Sequence, residues 1–319
     1  MISEFDLIAR YFMRPTRSAS LAGGDDCALL MPAAGMQMAI STDMLVEGRH
    51  FFPNAVPRQL GHKCLAVNLS DLAAMAAKPV AFTLAFSLPQ ADSSWLSAFA
   101  DGMYALADKH QCELIGGDTT KGPLNICISV FGEVPPAQAL RRDAAQVGDD
   151  IWVSGTLGEA RLALAGYRGE IVLDPAVQEA AGLRMHMPTP RVALGLQLRG
   201  IAHAAIDVSD GLVGDLGHIL QRSKLGAMLV VDDLPLGAML LQQAVETQRR
   251  FALAGGDDYE LCFTAAASQR AAVLAAAEAA ATPVTRIGRI EAAPGLRLHD
   301  AAGAALQLSL SAFDHFATP

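Results

Sequence analysis

Aspartate is the residue whose spacing in this 319-residue chain points to chemistry. Asp25 and Asp26 follow Gly23 and Gly24, Asp118 follows Gly116 and Gly117, and Asp257 and Asp258 follow Gly255 and Gly256. Asp43 closes a strand-like run from Met36 to Ser41. Asp207 and Asp210 stand between a short apolar run and a helix-like one. One aspartate at such a junction ordinarily closes an Asx turn or caps a helix. Glycine pairs ahead of three acidic strings suggest more, because glycine lets backbone approach a bulky ligand and take positive φ. Asp71 is the sharpest case. It lies inside an apolar helical run (64–77), away from either end by pattern, with Asn68 on the same face three residues earlier. Aspartate is a poor helix-interior residue, and a helix this short of charge has little solvated face to offer it.

These positions read as strand-to-loop junctions, where distant carboxylates can meet at one sheet edge. Two unit charges ~4 Å apart repel by ~4 kcal/mol at an effective dielectric near 20. A domain is stable by only ~5–15 kcal/mol, so a cluster of this kind needs cations to fill it. Oxygen donors without a histidine–cysteine set favour Mg²⁺ or Mn²⁺ over zinc. Mg²⁺ is commonly shared between protein carboxylates and substrate phosphates, which points to phosphate chemistry. Arg141, Arg142 and His50 are candidate anion contacts, with plain surface solvation as the alternative. The chain has no G-x-x-x-x-G-K-[ST] loop, no protein-kinase H-R-D or D-F-G set and no G-x-S-x-G elbow.

Helix- and strand-like stretches alternate around these residues. Strands are expected over Met36–Ser41, Val80–Leu88, Asn125–Val134 and Ile151–Ser154, and helices over Arg58–Ala77, Trp95–His110 and Gln269–Ala281. This order means α+β or α/β. Pro135-Pro136 opens a polar segment ending at Gly148-Asp149-Asp150, which divides the chain into domains 1–136 and 137–319.

Bulk properties narrow the class. With 52% hydrophobic residues a large core is available. The longest apolar run, Pro79–Leu88, is about half of the ~20 residues that span a bilayer. The start of the chain patterns as an amphipathic helix, not a signal peptide, so a cytoplasmic enzyme is expected. Five cysteines without a C-x-x-C pair argue against zinc or a disulfide framework. A formal charge of −9 without a basic run disfavours nucleic acid as a partner.

Six ordered segments carry a resemblance: GDDCALL (24–30), STDMLVEGRHF (41–51), NLSDLAAMAAKP (68–79), LIGGDTTKGPL (114–124), IDVSDGLVGDLGHI (206–219) and GGDDYEL (255–261), with FDHFATP (313–319) at the close. Their order and spacing resemble the thiamine-monophosphate kinase family over nearly the whole chain. The resemblance implies the two-domain fold shared with aminoimidazole ribonucleotide synthetase, with amino-terminal sheets pairing in a homodimer. It implies Mg²⁺-dependent transfer of the ATP γ-phosphoryl group to thiamine monophosphate. By the same resemblance Asp26, Ser41, Thr42, Asp43, Asp71, Asp118, Asp207 and Asp210 would be metal ligands, with Asp43, Asp71 and Asp210 catalytic through the metals. Gly117, Asp118, Arg142 and Ser209 would contact ATP, and His50, Asp257 and Phe313 the thiamine phosphate. The family often has Glu where Asp257 stands and a hydroxyl-bearing aromatic where Phe313 stands. Two other readings remain: a different ATP-using enzyme of this fold, and a non-catalytic metal- or nucleotide-binding subunit. A selenophosphate enzyme would want a reactive Cys with a Lys before it, and no Lys precedes Cys27. Retention of every acidic position counts against a degenerate subunit.

Overall fold

A computed structural model describes residues 4–308. The described residues pack as two compact units, one of residues up to 72 together with 77–137, the other of residues 73–76 together with 138 onward.

The first unit opens with helix α1 (Glu4–Tyr11) and a small ribbon of β1 (Ala19–Leu21) and β2 (Leu29–Leu30). Then come β3 (Gln37–Val46), α2 (Pro57–Ala74), β4 (Lys78–Leu88), α3 (Ser93–His110), β5 (Glu113–Lys121) and β6 (Asn125–Val134). The four long strands form one sheet in the order β3-β6-β4-β5. Alternation along β6 is complete: Ile126, Ile128, Val130 and Val134 are buried, with less buried residues between them. Helix α3 starts where the Asp92 carboxylate accepts the Ser94 and Trp95 N–H groups at 2.8 and 3.0 Å. Trp95 and Phe99 then stack with each other and with Phe86 of β4. The two long helices touch backbone to backbone. A Cβ on Gly61 would lie 2.0 Å from the Phe99 carbonyl oxygen, and one on Gly102 1.8 Å from that of Arg58.

Three boundaries differ from the sequence expectation, and each moves a candidate residue. Strand β3 continues to Val46, because β6 offers it an unbroken register from Gln37↔Val134 to Val46↔Asn125. Asp43 is therefore inside a strand. Asp118 is also inside one, since β5 pairs in parallel with β4 through Leu88↔Lys121. Helix α2 stops at Ala74, where Ala76 turns left-handed (φ 52°) and the Ala77 N–H bonds back to the Leu72 carbonyl. Asp71 thus stands in the last turn, not mid-helix.

The second unit contains β7 (Asp150–Ser154), α4 (Glu159–Tyr167), α5 (Pro175–His186), α6 (Val192–Gln197), β8 (Ala202–Asp207), α7 (Leu212–Ser223) and β9 (Gly226–Val230). It continues with α8 (Val245–Ala254), β10 (Leu261–Ala265), α9 (Arg270–Ala279), β11 (Val284–Glu291) and β12 (Gly295–His299). The sheet order is β12-β9-β11-β7-β10-β8, antiparallel except for β9 with β12. Strands β7 and β10 are buried at every position, so both faces of the sheet centre are covered. Among the described residues no helix is long and apolar enough to cross a membrane.

Candidate functional site

In the first unit the strand period sorts the candidates. Ser41 and Asp43 lie in rows with Val130 and Ile128, whose side chains are buried, so they share the face that α2 covers. The Ser41 hydroxyl donates to the Asp71 carboxylate, and the Asp43 N–H donates to Asn68 Oδ1 at 3.1 Å. Asn68, itself fully buried, donates to the Cys64 carbonyl at 2.9 Å. The last turns of α2 therefore lie against β3 and hold Asp71 beside Ser41. Thr42 points to the opposite, open face, where its hydroxyl meets that of Ser129 at 2.7 Å. Asp118 shares that open face through the row Met44↔Cys127↔Ala85↔Asp118, three strand spacings from β3. Asp43 and Asp118 thus stand on different faces and at different edges of one sheet.

Gly117 is glycine for a local reason. Its φ is 150°, and a Cβ there would lie 1.9 Å from the Leu84 carbonyl oxygen. Asp26 is exposed in the ribbon, its N–H held by the Asp25 carboxylate at 3.0 Å. His50 accepts the Val46 N–H on Nδ1 at 3.0 Å, which leaves the ring proton on Nε2.

In the second unit, Asp207 ends β8, and Ser209 and Asp210 occupy the loop before α7. Sequence reasoning missed what shapes this loop. Buried Asp215, in the first turn of α7, accepts the N–H groups of Ser209, Asp210 and Gly211 on one oxygen, each at 3.1 Å. Burial, then the neighbouring Asp210 charge, pushes its carboxyl up to about 7, against those three donors. An acidic residue in a helix's first turn, four residues past Gly211, was the available signal.

The Gly255–Glu260 segment runs beside that loop, with Asp257 N–H on the Ser209 carbonyl and Tyr259 N–H on the Val208 carbonyl, both at 2.8 Å. Glu260 is fully buried and was also missed. It accepts from the Ser154 hydroxyl (2.6 Å), Arg184 (2.8 Å) and both nitrogens of the Arg191 fork (2.6 and 2.5 Å). Arg142 lies exposed in the loop between β6 and β7, its carbonyl accepting from Ser223 at 2.9 Å. Phe313 lies outside the described residues.

Among the described residues no three His, Cys, Asp or Glu side chains group closely enough to hold a metal ion unaided. The donor set that does assemble is oxygen-rich: the Asp71 carboxylate with the Ser41 hydroxyl, and Asp43 two residues along the same strand face. One or two carboxylates completed by phosphate oxygens and water is the way Mg²⁺ is usually held, so these residues fit that ion. They do not fit zinc.

Residues 24–134 match the family described as AIR synthase related protein, N-terminal domain, and residues 146–301 match its C-terminal domain. The thiamine-monophosphate kinase of Salmonella typhimurium is 45% identical over 324 residues, covering 99% of each chain. The crystal structure of thiamine-monophosphate kinase from Stenotrophomonas maltophilia K279a superposes with a TM-score of 0.85 at 49% identity, over 94% of this chain and 95% of that one. A structure described as AaThiL complexed with AMPPCP and TMP superposes with a TM-score of 0.78 at 28% identity, over 90% of this chain and 89% of that one.

Proposed function

The chain belongs to the thiamine-monophosphate kinases of the AIR synthase related family, and from that premise we infer how its residues transfer phosphate. The reaction moves the ATP γ-phosphoryl group directly to the phosphate of thiamine monophosphate, giving thiamine diphosphate and ADP. The observation that supports this most is identity of 45% across 99% of both chains to an enzyme of that name.

The acceptor phosphate is already anionic near neutral pH, so the reaction needs no strong general base. The barrier comes from bringing two anions into line. Mg²⁺ supplies charge screening between the phosphates and a template for in-line approach. The residues we assign as metal ligands are Asp26, Ser41, Thr42, Asp43, Asp71 and Asp118 in the first unit and, separately, Asp207 and Asp210 in the second. Because Thr42 and Asp118 lie on the open sheet face and Asp43 on the covered one, they would serve different ions. Gly117 and Asp118 in the first unit, and Arg142 and Ser209 in the second, are the residues we assign to nucleotide contact. His50, with its proton on Nε2, donates to the acceptor, while Asp257 accepts from it.

The open face of the first sheet supports a homodimer. Ile40 and Met44 are 64% and 54% exposed on β3, a patch suited to a second copy. The enzyme works in the cytoplasm, where ATP is made available to biosynthesis.

A coupled ADP-release assay tests the reaction. Turnover is expected with thiamine monophosphate plus Mg²⁺ and silence with thiamine alone. Asp71→Asn and Asp210→Asn should each cut kcat by ~100-fold or more. Wild-type rates in both variants would remove the metal assignment.

A further inference from the structure

The loop after α8 combines left-handed backbone at two non-glycine residues with two buried anchors. Asp257 has φ 67° and Tyr259 φ 50°, conformations that L-residues rarely adopt and that persist only where the surroundings over-determine them. The residues that alternate with them supply that determination. Asp258 takes the Gly158 N–H on both carboxylate oxygens (3.1 and 2.9 Å), and Glu260 takes Ser154, Arg184 and Arg191. Backbone bonds from Asp257 and Tyr259 to the Ser209 and Val208 carbonyls, and from Val208 N–H to the Glu260 carbonyl (2.7 Å), fasten the other side. Asp258 and Glu260 are thereby buried, while Asp257 and Tyr259 remain half-buried. The Tyr259 hydroxyl donates to Asp257 Oδ1 at 3.2 Å.

We infer that Tyr259 is a positioning residue for the phosphate acceptor: its hydroxyl aims the Asp257 carboxylate, on a backbone that Asp258 and Glu260 hold rigid. The inference rests on the assignment of Asp257 to the acceptor. A carboxylate on a single Cβ–Cγ bond rotates freely in water, and an acceptor bearing an amino group and a cationic ring must stop that rotation to be bound. A phenol on one carboxylate oxygen stops it beforehand. The loop geometry then has a purpose beyond packing, because the positive φ at 257 and 259 is what sets the two side chains within hydrogen-bond reach across one intervening residue.

Steady-state kinetics on the full-length enzyme test this, with thermal melting alongside. Tyr259→Phe removes only the hydroxyl. It should raise KM for thiamine monophosphate by ~5–10-fold, leaving kcat and KM for ATP within about two-fold and the melting temperature within ~1 °C. Asp257→Gly, which removes the carboxylate while accommodating the positive φ, should raise the same KM further. The double variant should then be no weaker than Asp257→Gly alone. If Asp257→Gly raises the acceptor KM and Tyr259→Phe does not, the positioning role is overturned and the acceptor assignment stands. If Asp257→Gly leaves that KM at the wild-type value, the assignment itself falls. A Tyr259→Phe variant that melts several degrees lower, with both KM values raised, would show a packing role instead and also overturn the inference.

Discussion

The tripeptide Gly-Asp-Asp occurs twice, at 24–26 and at 256–258, and the two copies sit in opposite environments. The first lies in the loop between the two short strands of the ribbon, both acids exposed, with the Asp26 N–H bonding the adjacent Asp25 carboxylate. In the second, Asp258 is 3% exposed and clamps a backbone N–H from 100 residues away, with Glu260 buried just beyond. The same three letters therefore give a solvated pair in one unit and a structural clamp in the other. The difference comes from the partners: the start of α4 brings an N–H to Asp258, while β7 and α5 bring a hydroxyl and a guanidinium to Glu260 just beyond it.

That contrast breaks most directly at Glu260. Glu260→Ala removes the buried anion shared by two partly buried arginines, leaving Arg184 only Glu159 at 4.0 Å, and should cost about 3 kcal/mol, read as a lower urea midpoint. Asp258→Ala should come next. It orphans the Gly158 N–H, a loss of ~1–3 kcal/mol in the same experiment. The matching change in the first string, Asp25→Ala, should stay within ~0.5 kcal/mol of wild type. Equal losses from the two would show that the strings are not different after all.

The smallest effect extends the burial logic to a histidine. Burial first, then Lys109 and His62, push the His110 imidazole down to about 4, and its Nε2 is enclosed without a hydrogen-bond partner. An unfolded chain takes up this proton near pH 6.5, while the folded one refuses it until about 4. Protons therefore favour unfolding across that window, and stability should fall as pH drops from 6.5 toward 4. The decline in melting temperature over the window should be shallower in His110→Gln, and an unchanged slope would locate the acid sensitivity elsewhere.

Much of the fold was legible. The alternating run Asn125–Val134 became β6 without a shifted end, and the helix expected over Trp95–His110 became α3 with only its start moved, by two residues. Asp43 and Asp118 misled because polar residues in a half-open strand look like its end, whereas pairing with a neighbour carries the strand on. Glu260 was illegible for another reason. Its partners lie 69, 76 and 106 residues away in the chain, so no local pattern distinguishes it from an ordinary surface acid.

The sequence by itself determined the chemistry on offer: carboxylates and hydroxyls with no thiol–imidazole set, in six segments whose order marks one family of phosphotransferases. Only the tertiary structure decided which of those oxygens face one another. Period-two alternation sends Ser41 and Asp43 to Asp71's helix and Thr42 away from it, and long-range burial turns Asp215, Asp258 and Glu260 into anchors. Side-chain type is written residue by residue. The direction and the dielectric that give it a function are set by neighbours that arrive from elsewhere in the chain.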